Sequence, residues 1–450
     1  MDELFDFLEH HLPKILLVVI VAFLAWVLFR AELLFPLLGT IILGWIGWKV
    51  WVHYVQQDFI SGIEWVLLEI VPPREVMRSP KAMELFITNA LYHLSFKGGK
   101  EEFWQGAVWF WHSLEIASIE GQVHFYVRSP SRLRGLIETQ LYAQYPQAQV
   151  RVAEDYTLAV PEISQNSEWN GWGCEFNLVK SEAYPIKTYT DFGLDKDPKE
   201  EYKVDPISPV IEFFGALGKN EQAWLQFVIK PAGATGGTKH KRDWVNQAND
   251  TMKDLLRPYT RTQRGIEEGE TALEIRAPKF YDNVITAMNM KTGKLGFETG
   301  IRLVYVAKKE HFSMNNRRDI RLIFRQYAKP DCNELLRINS AQADRYSGVF
   351  SASPKTVMML ANRMVHEFRD RAFFHLPLRH HIFSQKYWSW PFPTFISIDG
   401  IIKAYIHHHT FILNTEELAT LWHFPGQILK VPSLERIESK EASPPPNLPT

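Results

Sequence analysis

The chain has 450 residues, 46% of them hydrophobic and 22% charged, with a formal net charge of −1. This balance excludes a disordered or fibrous protein and leaves room for two or three cores. Two cysteines, Cys174 and Cys332, exclude a disulfide framework and suit a reducing compartment.

Residues 15–29 carry no charge, and after Arg30-Ala31-Glu32 neither do residues 33–48. Each run approaches the ~20 apolar residues that cover ~30 Å of hydrocarbon, so residues 1–55 read as a transmembrane helical hairpin. A single span with a re-entrant segment is the competing reading, because the first run is short and the turn tight. The acidic start (Asp2, Glu3, Asp6, Glu9) argues against a cleavable signal peptide. Trp45, Trp48, Trp51 and Tyr54 with Lys49 resemble an interfacial belt, and Arg74, Arg78 and Lys81 follow. The expected location is the cell (inner) membrane, with the remainder facing the cytoplasm.

Residues 56–160 read in the order β-α-β-β-α-β. The strands are 63–71, 109–118, 122–127 and 148–152. A helix from Pro80 carries Met83, Phe86, Ile87, Ala90, Leu91 and Leu94 on one face, and a second runs from Ser129 to Tyr145. That is a ferredoxin-like α+β module. Residues 161–340 fit a second such unit, with helices inserted in its middle and no obvious sequence repeat. Residues 341–430 are mixed α/β, with a helix over 355–374 and strands at 395–398 and 405–413. Asn414 and Glu417 form a capping box for a last short helix. Residues 431–450 are a Pro-rich tail. The expected fold class is α+β, a membrane hairpin followed by ferredoxin-like modules.

Catalytic motifs are scarce. Gly99-Lys100, Gly218-Lys219 and Gly293-Lys294 are not followed by Ser or Thr. The loop 233–239 lacks Gly before its Lys, so no phosphate cradle is expected. His375, His380, His381, His407, His408, His409 and His423 invite a metal, but His407 and His409 alone share a strand face. No Gly-x-Ser-x-Gly elbow occurs. No enzyme activity, metal or cofactor is expected.

Between Arg302 and Lys386 the chain holds about 16 Lys/Arg against about 7 Asp/Glu, a local excess of roughly +9. Arg317, Arg318, Arg321, Arg325, Arg369 and Arg371 are the candidate contacts for nucleic acid or another anion. In 363–390 cations alternate with aromatics, a pattern that can stack bases or lie on a membrane surface.

Residues 63–73, the run from Ser79 to Glu84, residues 122–155, 294–305 and 411–425, and the Pro-rich end at 444–449 resemble one family. It is the membrane-anchored N-terminal region of bacterial type IV secretion and conjugative DNA-transfer ATPases, especially those of candidate-phylum bacteria. In that family the Asn-Thr-Glu-Glu-Leu-Ala-Thr-Leu segment and the Pro-rich tail lie just before a P-loop motor. This chain stops at Thr450, where the motor would begin, so the family's ATPase activity is not carried over. The resemblance implies a non-enzymatic membrane-anchored component that docks a separately encoded P-loop ATPase, with Asn414, Glu417, Leu418 and Trp422 at the motor-facing end. The alternative is a membrane-tethered nucleic-acid-binding protein. DNA and a second copy of the chain are further expected partners.

Overall fold

The computed structural model describes residues 18–27 (except 20), 34–73, 78–93, 98–195 (except 165), 204–232, 244–264, 271–275, 278–340, 354–375 (except 372) and 409–426. The chain forms two compact units. One comprises residues 1–62 and 99–108; the other comprises 63–98 and 109–450.

The first unit is built on one 28-residue helix, Leu34–Ser61. Its uncharged part ends at Trp48, and Lys49, His53, Gln56, Gln57 and Asp58 follow within the same helix. From Leu34 to Trp48 the axis rises only about 22 Å, short of the ~30 Å hydrocarbon layer. Among the described residues no helix is long and apolar enough to cross a membrane. This corrects the transmembrane hairpin expected over residues 1–55. The cell-membrane location and the cytoplasmic orientation derived from it fall with it. Residues 15–29 are described only in part. A short helix, Gly99–Phe103, belongs to the same unit, where Trp48 meets Phe103 and Trp104 with ring centroids 5.8 and 6.5 Å apart.

The second unit is organised by a nine-stranded antiparallel sheet with helices, an α+β fold. Its strands are β1 (Trp65–Val71), β2 (His112–Ile119), β3 (Gln122–Pro130), β4 (Gln149–Val152), β5 (Trp169–Leu178) and β6 (Glu221–Pro231). After a separate hairpin, β7 (Thr260–Arg264) and β8 (Thr271–Ile275), come β9 (Gly296–Lys308), β10 (Leu335–Ile338) and β11 (Phe411–Asn414). The order is β10-β5-β9-β6-β2-β3-β1-β4, and β11 continues beside β9. The residues assigned above to two modules therefore share one sheet.

That sheet is doubled. Strands β4-β1-β3-β2 and β10-β5-β9-β6 have the same internal order, fourth-first-third-second, and they join through β2 and β6. The β2–β3 turn places Glu120 and Gly121 at φ of 54° and 86°, the double-positive geometry that suits a tight hairpin.

Alternation along the strands gives the sheet two buried faces. On one, Leu68, Ile70, Leu114, Ile116, Phe125 and Val127 pack with the helices Pro80–Phe86, Arg134–Gln144, Ser208–Gly215 and Thr415–Leu421. Met83, Phe86, Ile87, Ala90 and Leu91 are buried at their helical spacing, with Ile87–Leu91 wound as a π turn. Leu94 lies outside the described residues. On the other face, Tyr126, Trp224, Val304 and Val306 meet Met364, Val365 and Phe368 of the helix Pro354–Asp370. That helix ends earlier than the expected 374, at Arg371, which takes a φ of 50°. Of the expected strand 405–413, residues 411–413 lie in β11, while 409 and 410 are outside any strand. Residues 395–398 and 405–408, the loop 233–239 and the tail 431–450 lie outside the described residues.

Candidate functional site

Four buried strands each place a polar residue between two apolar neighbours: Glu115 in β2, Glu175 in β5, Gln226 in β6 and Arg302 in β9. The pairing register brings them into line. Arg151, Glu69, Tyr126, Glu115, Gln226, Arg302, Glu175 and Ile338 are successive cross-strand partners, so one row crosses eight strands on a single face. Glu115, Gln226, Arg302 and Glu175 are fully buried.

Burying ions stabilises a fold only when partners replace water. Here the helix Pro354–Asp370 and the residues after it supply them. Arg371 Nε donates to Glu115 Oε1 at 2.9 Å and Nη2 to Glu115 Oε2 at 3.2 Å, while Nη1 reaches Asp155. Ser113 and Tyr156 donate to the same Glu115 at 2.6 and 2.8 Å. Arg302 donates to Glu175 at 2.8 Å and to Glu367 at 3.4 Å; Asn339 adds a bond to Glu175 at 2.8 Å. Phe373 lies over the Arg302 guanidinium at 4.2 Å. Gly300 admits it, because a Cβ there would sit 2.3 Å from the Phe373 ring.

The electrostatics oppose proton transfer. Burial alone would raise the Glu115 carboxyl, but Arg371 and the bonds from Ser113 and Tyr156 hold it below the usual value. Asp155 is likewise lowered, its burial outweighed by Arg371 and Thr157. Burial pushes the Tyr156 hydroxyl up, helped by Glu115. Burial also pushes the Cys174 thiol up. Ionised carboxylates beside permanently charged guanidinia are poor general acids.

A second polar cluster fixes the C-terminal segment. Every residue of 411–425 is buried. The capping box is present, with Asn414 Oδ1 accepting from the Glu417 amide at 2.8 Å and Glu417 accepting from the Asn414 amide at 2.9 Å. Lys291 Nζ sits 3.0 Å from Glu417, and both side chains are fully buried. Lys294 bridges Glu84 and Glu416 at 2.7 Å each. Burial would lower Lys294, yet the two carboxylates raise it; Glu416 is held low, its burial outweighed by Lys294, Thr188 and Thr190. His423 places Nε2 2.9 Å from Asp205 and Nδ1 2.9 Å from the Ala419 carbonyl, and Asp205 also accepts from the Gly426 amide.

The residues singled out from sequence are thus scattered. Arg369 turns inward to the Thr157 and Val160 carbonyls, and Arg371 is buried in the row. Neither is placed to contact a phosphate at the surface. Arg318 and Arg325 are exposed, and Arg317 and Arg321 half-buried, along residues 314–327. Asn414, Glu417, Leu418 and Trp422 are interior, at 2, 0, 0 and 0% exposure, so they hold the fold and present no docking surface. His409 is exposed, while His380, His381, His407 and His408 lie outside the described residues. Among the described residues, no three His, Cys, Asp or Glu side chains cluster as metal ligands. Sequence reasoning missed the polar row, although a charge or amide flanked by apolar residues in each strand was its visible trace.

Fold and site together define an α+β protein with a doubled antiparallel sheet, an internal charged row and a sealed C-terminal segment. Over residues 61–435 the chain matches the family described as a domain of unknown function, DUF8128, and it belongs to that family. No curated protein matches the chain.

Proposed function

We propose that this protein is a non-enzymatic docking platform for a P-loop ATPase, in a machine of the type IV secretion or conjugative DNA-transfer kind. The resemblance described above motivates the partner. The observation that supports the reading most is the burial of all of 411–425, with Gly426 tied to Asp205. The segment that resembles the approach to a motor is built into a nine-stranded body, so the chain leaving Gly426 has a fixed origin. A mount for a force-generating partner needs that rigidity. The ionised, paired carboxylates favour a structural role over catalysis.

The test is affinity capture of the full-length protein from its native cells, read by mass spectrometry. Near-stoichiometric recovery of a P-loop ATPase is the expected result, and its absence from intact complexes overturns the proposal.

A second reading has its own observation. Arg318 and Arg325 are exposed on the short helical ribbon that also holds Arg317 and Arg321. Four guanidinia within nine residues suit the phosphates of DNA.

A further inference from the structure

The helix Thr415–Leu421 ends at Trp422, and the next residue, His423, is 2% exposed. Its imidazole is held at both nitrogens. Nδ1 lies 2.9 Å from the Ala419 carbonyl, and Nε2 lies 2.9 Å from Asp205 Oδ1. A carbonyl oxygen only accepts, and so does an ionised carboxylate. A neutral imidazole has one N–H and one lone pair, so it serves one of these partners and turns a lone pair on the other. The ring suits its surroundings only when it carries both protons.

Those surroundings favour the charged ring. Burial would raise the Asp205 carboxyl, but the His423 charge and hydrogen bond, with the Ile207 and Gly426 amides, hold it below its usual value. The Ala419 carbonyl belongs to the last turn of its helix, where the peptide dipoles present their negative ends. Among the described residues, no Lys or Arg lies within ion-pair distance of Asp205, and His423 is its one cation. Two tyrosines also pack here. Tyr327 donates to the Pro206 carbonyl at 3.0 Å, and the ring of Tyr145, which feels the Arg78 charge, meets Phe424 with centroids 5.0 Å apart. Burial pushes both hydroxyls up, so both stay protonated while a histidine titrates.

The same carboxylate ties two distant stretches together. Asp205 Oδ1 accepts from the Ile207 amide at 3.1 Å, and Oδ2 accepts from the Gly426 amide at 3.2 Å. The turn that opens the helix Ser208–Gly215 is thereby joined to the end of the sealed segment.

We propose that His423 and Asp205 form a pH-sensitive latch, closed when the imidazole carries two protons, that holds residues 423–426 against the turn at 205–207. Histidine is the side chain whose charge ordinarily changes between about pH 5 and 8. When rising pH takes one proton from His423, one of its two acceptors is left facing a lone pair, and Asp205 loses its cation. The carboxylate then turns towards water and releases the Gly426 amide. The latch is closed on the acid side and open on the alkaline side, and the lowered Asp205 keeps its charge throughout that range. The inference is independent of ATPase docking, because it is read on the protein alone.

The test uses the full-length protein with its histidine rings labelled with nitrogen-15, titrated by NMR from about pH 5 to about pH 9. The His423 signals are assigned by their loss in His423→Gln. Amide hydrogen exchange at Gly426, corrected for the intrinsic effect of pH, is followed in parallel. Two protonated ring nitrogens are expected at the acid end. Loss of one proton should then coincide with a fall of at least ~10-fold in Gly426 protection. In His423→Gln and in Asp205→Asn that protection should no longer change with pH. A His423 ring that is singly protonated while Gly426 is protected overturns the proposal. A ring that keeps both protons to the alkaline end overturns it too, since such a latch never opens. So does Gly426 protection that ignores the His423 titration, a result the wild-type protein gives by itself if either variant fails to fold.

Discussion

Glu115 and Gln226 face each other across the β2–β6 pair, and the Gln226 amide donates to the Glu115 carboxylate at 3.2 Å. The approximate two-fold axis of the doubled sheet passes between them. It relates a charge to a neutral amide, and the charge is balanced from outside the sheet by Arg371. The two halves are joined by the β2–β6 ladder, and residue 371 delivers the cation that balances the charge buried at its centre.

Removing that partner strands two carboxylates. Arg371→Gln should lower stability by about 3–5 kcal/mol, because Glu115 is then left buried with no cation beside it. Urea unfolding reads this directly. A midpoint indistinguishable from wild type would remove the pair from any account of stability.

Acid should act through the same groups. Glu115, Asp155 and Asp205 all have folded-state values below their ordinary 4.5, 3.8 and 3.8, after Arg371 and His423 overcome the effect of burial. Lowered carboxylates stabilise fully above those ordinary values and lose the contribution as pH falls through the folded values. Denaturant midpoints should be flat from neutral pH to about 5 and drop steeply below about 4. A midpoint at pH 3 equal to that at pH 7 would contradict this.

Two truncations separate fold from docking. Deleting 411–450 removes β11, the buried helix and the partner of Lys291, and should give an unfolded or aggregating chain. Deleting 427–450 keeps every one of those contacts and should preserve the melting temperature while reducing ATPase capture. Full capture by the shorter deletion would move the docking surface off the tail.

Nucleic-acid contact has a separate signature. If Arg318, Arg321 and Arg325 meet phosphates, DNA affinity should fall steeply with salt through counterion release, and the triple Gln variant should flatten that slope by about 2–3. Salt-independent binding, or an unchanged slope in the variant, would reject the second reading.

Much of the local structure was legible in the sequence. Strand alternation, the helix opening at Pro80 and the capping box of Asn414 with Glu417 involve partners a few residues apart, so spacing reveals them. Direction was not legible. Arg369 and Arg371 look like Arg318 and Arg325 in a charge count, yet the first pair turns into the core. Leu418 sits on a helix buried on every side, and Trp422 directly after it, where no amphipathic stripe marks the interior. The apolar stretch up to Trp48 read as a membrane span because charge was absent, but the helix it belongs to runs on through Lys49 and Asp58.

The sequence by itself determined which segments become strands and helices, since those choices rest on short-range sterics, periodicity and caps. The tertiary structure alone decided that two β-α-β-β-α-β halves merge into one sheet, and that residues as far apart as Glu69 and Ile338 share one row. Strand register between distant segments comes from packing the whole sheet at once, and it is the register that turns isolated polar residues into a connected charged layer.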